Sequence, residues 1–322
     1  MGERGPATAG VDPEQVRAEV RATGLFARDR PLLAMLSGGR DSTCLLDVAC
    51  ALHGPSRVRA LHVNYGLRAA AGAEEEHCRA LCASLGCGLE VVRAEAPHGN
   101  VQAWARELRY TQARALAERE DALMATGHTL SDQVETILYR LAASPGRRAL
   151  LGMSPSEGRL IRPLLELTRE QTAAYCAARG LAFCEDESNE DEHYARVRVR
   201  KHLVPALRAV HPAAESNVVR TAALLREETE LLDGLVEAEL DGRASVETAR
   251  LRELPRALAR MVVVRLAERV AGTYVPQAGT RLEEILALDE HGGRSELHVG
   301  GGVGAVLEGG VLEMVKLPPR PG

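Results

Sequence analysis

The chain has 322 residues, 45% of them hydrophobic and 26% charged, with a formal net charge of −5. That length supports about two domains with cores of their own, and the acidic balance excludes a protein that coats nucleic acid with its whole surface, so such a partner needs a local basic patch. No run approaches the roughly 18 apolar residues of a membrane span, and the start, Met1-Gly-Glu-Arg-Gly-Pro6, lacks the apolar region of a signal peptide; both features predict a cytoplasmic protein with no membrane partner.

Asp12-Pro13 pairs an N-cap with a first-turn proline and predicts a short leading helix. The apolar strand Leu32–Leu36 then runs into Ser37-Gly-Gly-Arg-Asp-Ser42, followed by a helix predicted over Ser42–Leu52. Gly38 and Gly39 allow backbone angles and close approaches that a Cβ would forbid, and the first N–H groups and positive end of the helix face the same spot. With hydroxyls on Ser37 and Ser42, this is how a chain grips phosphate. It lacks the Gly-Lys-Ser/Thr ending of a Walker loop and the three spaced glycines of a dinucleotide site. An ordinary strand–turn–helix corner is the plain alternative.

Further strands are predicted at Val58–Val63, Leu89–Val92 and Ala122–Thr126, with helices at Ala73–Leu85 and Val101–Glu120 between them. The alternation predicts an α/β fold, a parallel sheet with helices on both faces, whose ligands sit at the carboxyl ends of the strands. Of the seven cysteines none forms a Cys-x-x-Cys pair, which argues against a disulfide framework or a zinc knuckle. Cys78 and Cys82, near His77 and Cys87, stand at helical spacing and read as helix-core thiols; no metal is assigned to them. Lysine occurs only at Lys201 and Lys316, so arginine, always protonated and able to fork onto phosphates, carries the positive charge.

Thr126-Gly-His-Thr-Leu-Ser-Asp-Gln-Val-Glu-Thr136 begins at a strand end and continues as a helix with a Thr129–Asp132 capping box. At 100° per residue Val134, Ile137, Leu138 and Leu141 share one face, while His128, Asp132, Glu135 and Tyr139 fall on or near the other. The carboxylates therefore point away from the core. Two acids one turn apart beside a histidine can hold Mg²⁺ or the ammonium of an amine substrate, and a solvated helix face is the other reading.

After Arg162-Pro163 the alternation stops. Helical segments are predicted at Arg169–Arg179 and Val197–Arg208 around a charged connector, Glu185–Glu192, and Glu215–Glu239 reads as one long amphipathic helix. Two more helical patterns and Gly-rich short strands, Ser295–Gly302 and Gly304–Val315, complete a small α+β C-terminal domain. The expected division is a catalytic domain with a helical extension at 1–212, and a linker helix with the small domain at 213–322.

Ser37–Ser42 resembles the SGGxDS loop of the PP-loop ATP pyrophosphatases, which cut ATP into AMP and pyrophosphate. Leu61–Arg68 is similar to LHVNHGLR, Ala105–Tyr110 to ARxxRY and Gly127–Thr136 to GHxxDDQxET; Ile161–Leu165, Asp186–Asp191 and Arg196–Arg200 follow in the same order. Together these resemble the tRNA(Ile)-lysidine synthetase family, densely over residues 30 to 210 and loosely beyond, where Leu254–Lys316 is similar to the family's first small C-terminal domain. The second C-terminal extension of longer members is expected to be lacking. Departures are Tyr65 for a histidine, Ser131 for the first of two acids, Val197 for the asparagine of RNxIR, and Ala143-Ser-Pro-Gly146 for a glycine-rich RGxG.

The resemblance implies a ligase that uses ATP and Mg²⁺ to attach L-lysine to C2 of the wobble cytidine of CAU-anticodon tRNA(Ile), through an adenylated cytidine. It further implies ATP binding by Ser37, Gly38, Gly39, Arg40, Asp41, Ser42, His62 and Asn64, metal binding by Asp41, and lysine binding by Asp132 and Glu135. Asp41, Arg106, Arg109 and His128 are the implied catalytic residues, orienting substrate and stabilising charge. Arg196, Arg198, Arg200 and Lys201 form a candidate tRNA patch, with a solvated helix face as the alternative reading, and a homodimer is the suggested oligomer. One rival is a tRNA 2-thiolation enzyme of the same superfamily, whose iron–sulfur type needs clustered cysteines. Another is an ATP-sensing or RNA-binding module with an inactive loop, against which the presence of Asp41, Asp132 and Glu135 argues.

Overall fold

The computed structural model describes residues 11–26, 29–66, 71–95, 97, 101–144, 146–184, 192–288 and 293–318. Leu67, Arg68, Pro145 and nearly all of the predicted charged connector, 185–191, lie outside the described residues. The chain divides into two compact units, Met1–Ala222 and Ala223–Gly322.

The first unit runs α1 (Pro13–Ala22), β1 (Leu32–Met35), α2 (Arg40–His53), β2 (Val58–Asn64), α3 (Ala71–Leu85), β3 (Gly88–Arg93), α4 (Val101–Arg119), β4 (Leu123–Ala125) and α5 (Leu130–Ala143). It continues with β5 (Ser156–Glu157), β6 (Leu160–Ile161), α6 (Arg169–Arg179), α7 (Ala195–Arg198), α8 (Val204–Val210) and α9 (Ala214–Leu240), the last crossing into the second unit. The six strands form one sheet in the order β3-β2-β1-β4-β6-β5, parallel except for the short edge strand β5. β1 is buried along its whole length, as a strand covered on both faces must be.

The period of two in β1 divides the core. Leu32, Ala34 and Leu36 join the cluster that α1, α2, α3 and α6 build on one face; Leu33 and Met35 join Leu61, Val63 and the Tyr110, Ala113, Leu116 and Ala117 side of α4 on the other. Cys78 and Cys82 are buried in the first of these clusters, and Cys87 packs against it. α1 starts as its sequence predicts, with the Asp12 carboxylate accepting from the Glu14 N–H at 3.0 Å.

The segment predicted to be helical over Val197–Arg208 is helical from Ala195 to Val210, with a π turn at Val199–Leu203 where the Val204 N–H reaches back to the Val199 carbonyl. Pro205, which follows that turn, has no N–H to give to the regular ladder. One helical expectation is corrected in this unit. In α5, Val134, Ile137 and Leu138 are buried, but Leu141 is 59% exposed, one turn past the small cluster of Val134, Leu138, Val199 and Val204.

The second unit holds β7 (Ser245–Glu247), α10 (Thr248–Glu253), α11 (Arg256–Ala271), α12 (Pro276–Thr280), α13 (Leu282–Leu288), β8 (Ser295–Gly300), β9 (Val303–Glu308) and β10 (Val311–Lys316). Its antiparallel sheet has the order β7-β10-β9-β8, and α11 buries Ala259, Val262, Val263 and Leu266 in its core. Four helices stand where two helical patterns are predicted, because α10 and α12 are too short to show a periodicity. Among the described residues no helix is long and apolar enough to cross a membrane.

Candidate active site

β1 pairs with β2 on one side and with β4 on the other, so the chain reverses its direction of travel across the sheet between β1 and β4. A crevice opens at such a switch point, beyond the carboxyl ends of the two strands. Here it is a cavity of about 980 Å³ in the first unit, walled by the turn after β1, the turn after β4, and the first turns of α5 and α6.

The turn after β1 is built by its own small side chains. The Ser42 hydroxyl donates to the Gly39 carbonyl at 2.8 Å and accepts from the Ser37 N–H at 3.2 Å, while the two serine hydroxyls lie 3.1 Å apart. Gly38 has φ +87°, a left-handed conformation that favours glycine, and a Cβ there would come within 3.3 Å of Cys78 Sγ. Gly39 caps α2 without a side-chain hydrogen bond, and the first-turn N–H groups have no carbonyl in their own helix to pair with. They form a positive, donor-rich rim suited to phosphate. The turn after β4 approaches this rim so closely that a Cβ on Gly127 would lie 2.9 Å from both the carbonyl carbon and oxygen of Asp41.

Asp41, in the first turn of α2, accepts a hydrogen bond from the Thr172 hydroxyl of α6 and lies 3.8 Å from the guanidiniums of Arg40 and Arg169. Burial pushes its carboxyl above the usual range, and the nearby Asp132 charge adds to the rise against the opposing Thr172 hydrogen bond and the two arginines. No group of three or more His, Cys, Asp or Glu side chains among the described residues could hold a metal ion. A single carboxylate is nevertheless the kind of ligand that suits Mg²⁺, which is usually held by one or two carboxylates plus substrate phosphates.

Both acids of α5 line the cavity, Glu135 buried and Asp132 partly buried. Thr129 and Asp132 form the predicted capping box, with the Thr129 N–H and hydroxyl each donating to Asp132 Oδ2 at 2.9 Å. Asp132 Oδ1 accepts from Arg169 Nη2 at 3.0 Å, and Glu135 Oε1 accepts from Nη1 of the same guanidinium at 3.2 Å. Glu135 is only 5% exposed. Burial raises its carboxyl more than Arg169 lowers it. Burial acts on Asp132 too, but Arg169 and the Thr129 N–H outweigh it and hold that carboxyl below the ordinary range. One guanidinium thus serves two acids of unequal proton affinity.

Of the other predicted site residues, Arg106, Arg109 and His128 line the cavity. The Arg109 Nε is buried and has no hydrogen-bond partner among the described residues, and Arg106 lies 4.9 Å above the Tyr110 ring. His128 Nδ1 is 2.8 Å from the Thr126 hydroxyl; burial, reinforced by Arg162, Arg106 and Arg196 against the pull of Asp132, takes its pKa down to about 4. The ring is therefore neutral near pH 7.

His62 and Asn64 do not line the cavity. His62 is buried with Nδ1 3.0 Å from the Leu36 carbonyl. Asn64 braces the loop after β2, donating to Glu75 at 3.0 Å and accepting from the Gly66 N–H at 3.0 Å. The basic run is also divided. Arg196 and Arg200 line the cavity, Arg196 donating to the Thr136 hydroxyl, whereas Arg198 donates to the Glu192 and His193 carbonyls at 2.8 Å and Lys201 lies 3.6 Å from the Glu192 carboxylate.

The PP-loop domain family matches residues 14–207 of this chain, well over half its length. A tRNA(Ile)-lysidine synthase of Leifsonia xyli is 36% identical over 83% of the chain and 86% of its own length. The chain belongs to the tRNA(Ile)-lysidine synthase family of PP-loop proteins. Relatives of that name include one from Pseudomonas fluorescens, 40% identical over 63% of the chain and 48% of its own length, and one from Pseudomonas aeruginosa, 39% identical over 67% and 50%. The chain spans about half the length of these two relatives. Among solved structures, a U34-tRNA thiolase from Methanococcus maripaludis is similar with a TM-score of 0.57, 18% identity, and coverage of 66% of this chain and 78% of that one, a likeness of fold.

Two residues that bridge the walls of this cavity escape the sequence reading: Arg169 and Thr172. The one local signal is the Thr168–Gln171 capping box, which places Arg169 at the first position of α6, where a cation opposes the helix dipole. The acids that Arg169 meets, Asp132 and Glu135, stand more than thirty residues earlier in the chain, and only the fold brings them to it. Ser131, which departs from the family's first acid, accepts from the Arg169 N–H at 3.3 Å, and Tyr65, which departs from its histidine, donates to the Ala105 carbonyl at 3.0 Å. Val197 is buried.

Proposed function

We propose that this chain ligates lysine to C2 of the wobble cytidine of CAU-anticodon tRNA(Ile) at the expense of ATP. The observation that carries the reading is the meeting, in one cavity, of a donor-rich helix start with the Asp132–Glu135 acid pair, bridged by Arg169. Cytidine O2 attacks the α-phosphorus of ATP; a P–O bond forms, the α–β bridge breaks, and pyrophosphate leaves. The amine nitrogen of lysine then attacks C2, the C2–O bond breaks, and AMP leaves with its bonding pair.

Chemistry of this type depends on position and charge neutralisation more than on a protein nucleophile. The N–H groups and hydroxyls of Ser37–Ser42 hold the triphosphate, and Arg109, whose buried Nε has no partner among the described residues, meets a phosphoryl oxygen. Asp41 would hold Mg²⁺, which supplies charge neutralisation on the phosphates. Asp132 and Glu135 receive the lysine ammonium, and Glu135, the acid with the raised proton affinity, takes the proton that the amine must lose before attack. Neutral His128, Arg106 and the arginines Arg196 and Arg200 orient the nucleotide. Residues 1–212 form the catalytic domain and 213–322 the linker helix and small domain.

Incorporation of labelled lysine into CAU-anticodon transcripts tests the reading: lysine- and ATP-dependent label with AMP and pyrophosphate release is expected, and a chain that releases no pyrophosphate with this tRNA refutes it.

A further inference from the structure

The acid pair is not an open cluster of carboxylates. A guanidinium already sits in it, with Nη2 3.0 Å from Asp132, Nη1 3.2 Å from Glu135, and Nε 3.8 Å from Asp41 on the nucleotide side. Arg169 is fixed there by its position. It opens α6, its N–H donates to Ser131 in the first turn of α5, and its carbonyl accepts from Thr172, whose hydroxyl also donates to Asp41. The side chain is 18% exposed, so its charge is felt with little solvent screening.

Two ionised carboxylates one turn apart carry two negative charges, which is the match for a divalent ion with oxygen ligands. Arg169 removes one of them. What remains is a single negative charge spread over two acids, the match for one primary ammonium. The third carboxylate in reach, Asp41, lies farther from the guanidinium and keeps its charge for the metal–triphosphate side. We propose that Arg169 is a specificity-determining residue that converts the Asp132–Glu135 pair from a divalent-metal site into a monocation site. The proposal rests on the amine-binding role of the pair given above and adds the reason that this pair does not fill with Mg²⁺ at cellular concentrations.

The test is a Mn²⁺ titration followed by electron paramagnetic resonance, without nucleotide, on the full chain and on R169Q, R169K and R169Q/E135Q. R169Q should gain a Mn²⁺ site at least tenfold tighter than any in the parent chain. R169K should not gain it, and the double substitution should lose it. In the parent chain, millimolar free Mn²⁺ in the presence of saturating MgATP should leave the lysine KM within about twofold, whereas in R169Q it should compete with lysine. An R169Q titration identical to the parent's, a metal site in R169K equal to that in R169Q, or competition between Mn²⁺ and lysine in the parent chain overturns the proposal. The last measurement needs no substitution, so competition there overturns the proposal even if R169Q does not fold. Failure of the amine role itself would show separately, as an unchanged lysine KM in Glu135→Gln, while the metal titration would still report on Arg169.

Discussion

Replacing Glu135 with glutamine removes one charge from the acid pair and keeps nearly the same shape, so its effect isolates what that charge does. Glu135 is 5% exposed and makes a 3.2 Å contact with Arg169, a buried charge-assisted geometry. Hydrogen bonds to charged groups contribute about 1.5–3 kcal/mol. If the lysine ammonium shares that carboxylate, removing the charge weakens lysine by a similar amount, which at about 1.4 kcal/mol per decade is a ten- to 150-fold rise in the lysine KM. Adenylation of the tRNA precedes any need for the amine and should stay within about threefold. Lysine-independent pyrophosphate release with CAU-anticodon tRNA reads the first half-reaction, and lysine-dependent AMP release reads the second. If pyrophosphate release falls in parallel with lysine use, the pair serves ATP or its metal, and the division of labour across the Arg169 bridge is wrong.

Asp41→Ala should reduce pyrophosphate release at least about a hundredfold, the scale of one transition-state electrostatic contact, with the melting curve as the check that the fold survives. Gly127→Ala places a Cβ 2.9 Å from the Asp41 backbone and should cost about 1–3 kcal/mol of stability and raise the ATP KM; a variant with unaltered melting and kinetics would mean the two turns are free to separate. Joint neutralisation of Arg196, Arg198 and Arg200 should weaken tRNA binding and lower its log–log salt slope by about 0.7 for each single-stranded phosphate that is no longer neutralised, and an unchanged slope would place the RNA surface elsewhere. His128 titrates near 4 when folded and near 6.5 when unfolded, so the unfolded chain alone takes up its proton between those values. The parent chain should therefore lose stability relative to His128→Gln as the pH falls from about 6.5 to about 4, read by denaturant unfolding across that range.

The parts of the site that depend on local chemistry are legible in the sequence. The Ser37–Ser42 turn, the Asp12 and Thr129 caps, and the bounds of α6 at Arg169–Arg179 follow from glycine, capping and periodicity rules that act over a few residues. What periodicity cannot give is which polar face another element will cover. Asp132 and Glu135 sit on the polar side of their helix as expected, yet α6, more than thirty residues later in the chain, lays Arg169 across the two acids and takes Glu135 out of solvent. Arg196 and Arg198, two residues apart, take opposite roles because successive helical positions point in different directions, one into the cavity and the other back onto the carbonyls of Glu192 and His193. His62 and Asn64 show the converse: a motif match marks them for the ligand, and their hydrogen bonds are given to Leu36, Glu75 and Gly66.

The seam between α2 and α6 extends past the cavity. Asp47, 2% exposed, accepts hydrogen bonds from the Tyr175 hydroxyl, from Arg17 of α1 at 3.1 Å, and from Arg179 at 3.2 Å, while Thr172 holds Asp41 at the other end of the same helix pair. Two side-chain links, at Asp41 in the first turn of α2 and at Asp47 midway along it, tie α6 to α2, so their backbone amides are expected to exchange as one protected unit. Arg17 brings α1 into that unit through Asp47, so a helix that does not line the cavity contributes to holding α6, with Arg169, against the α2 start that carries Asp41.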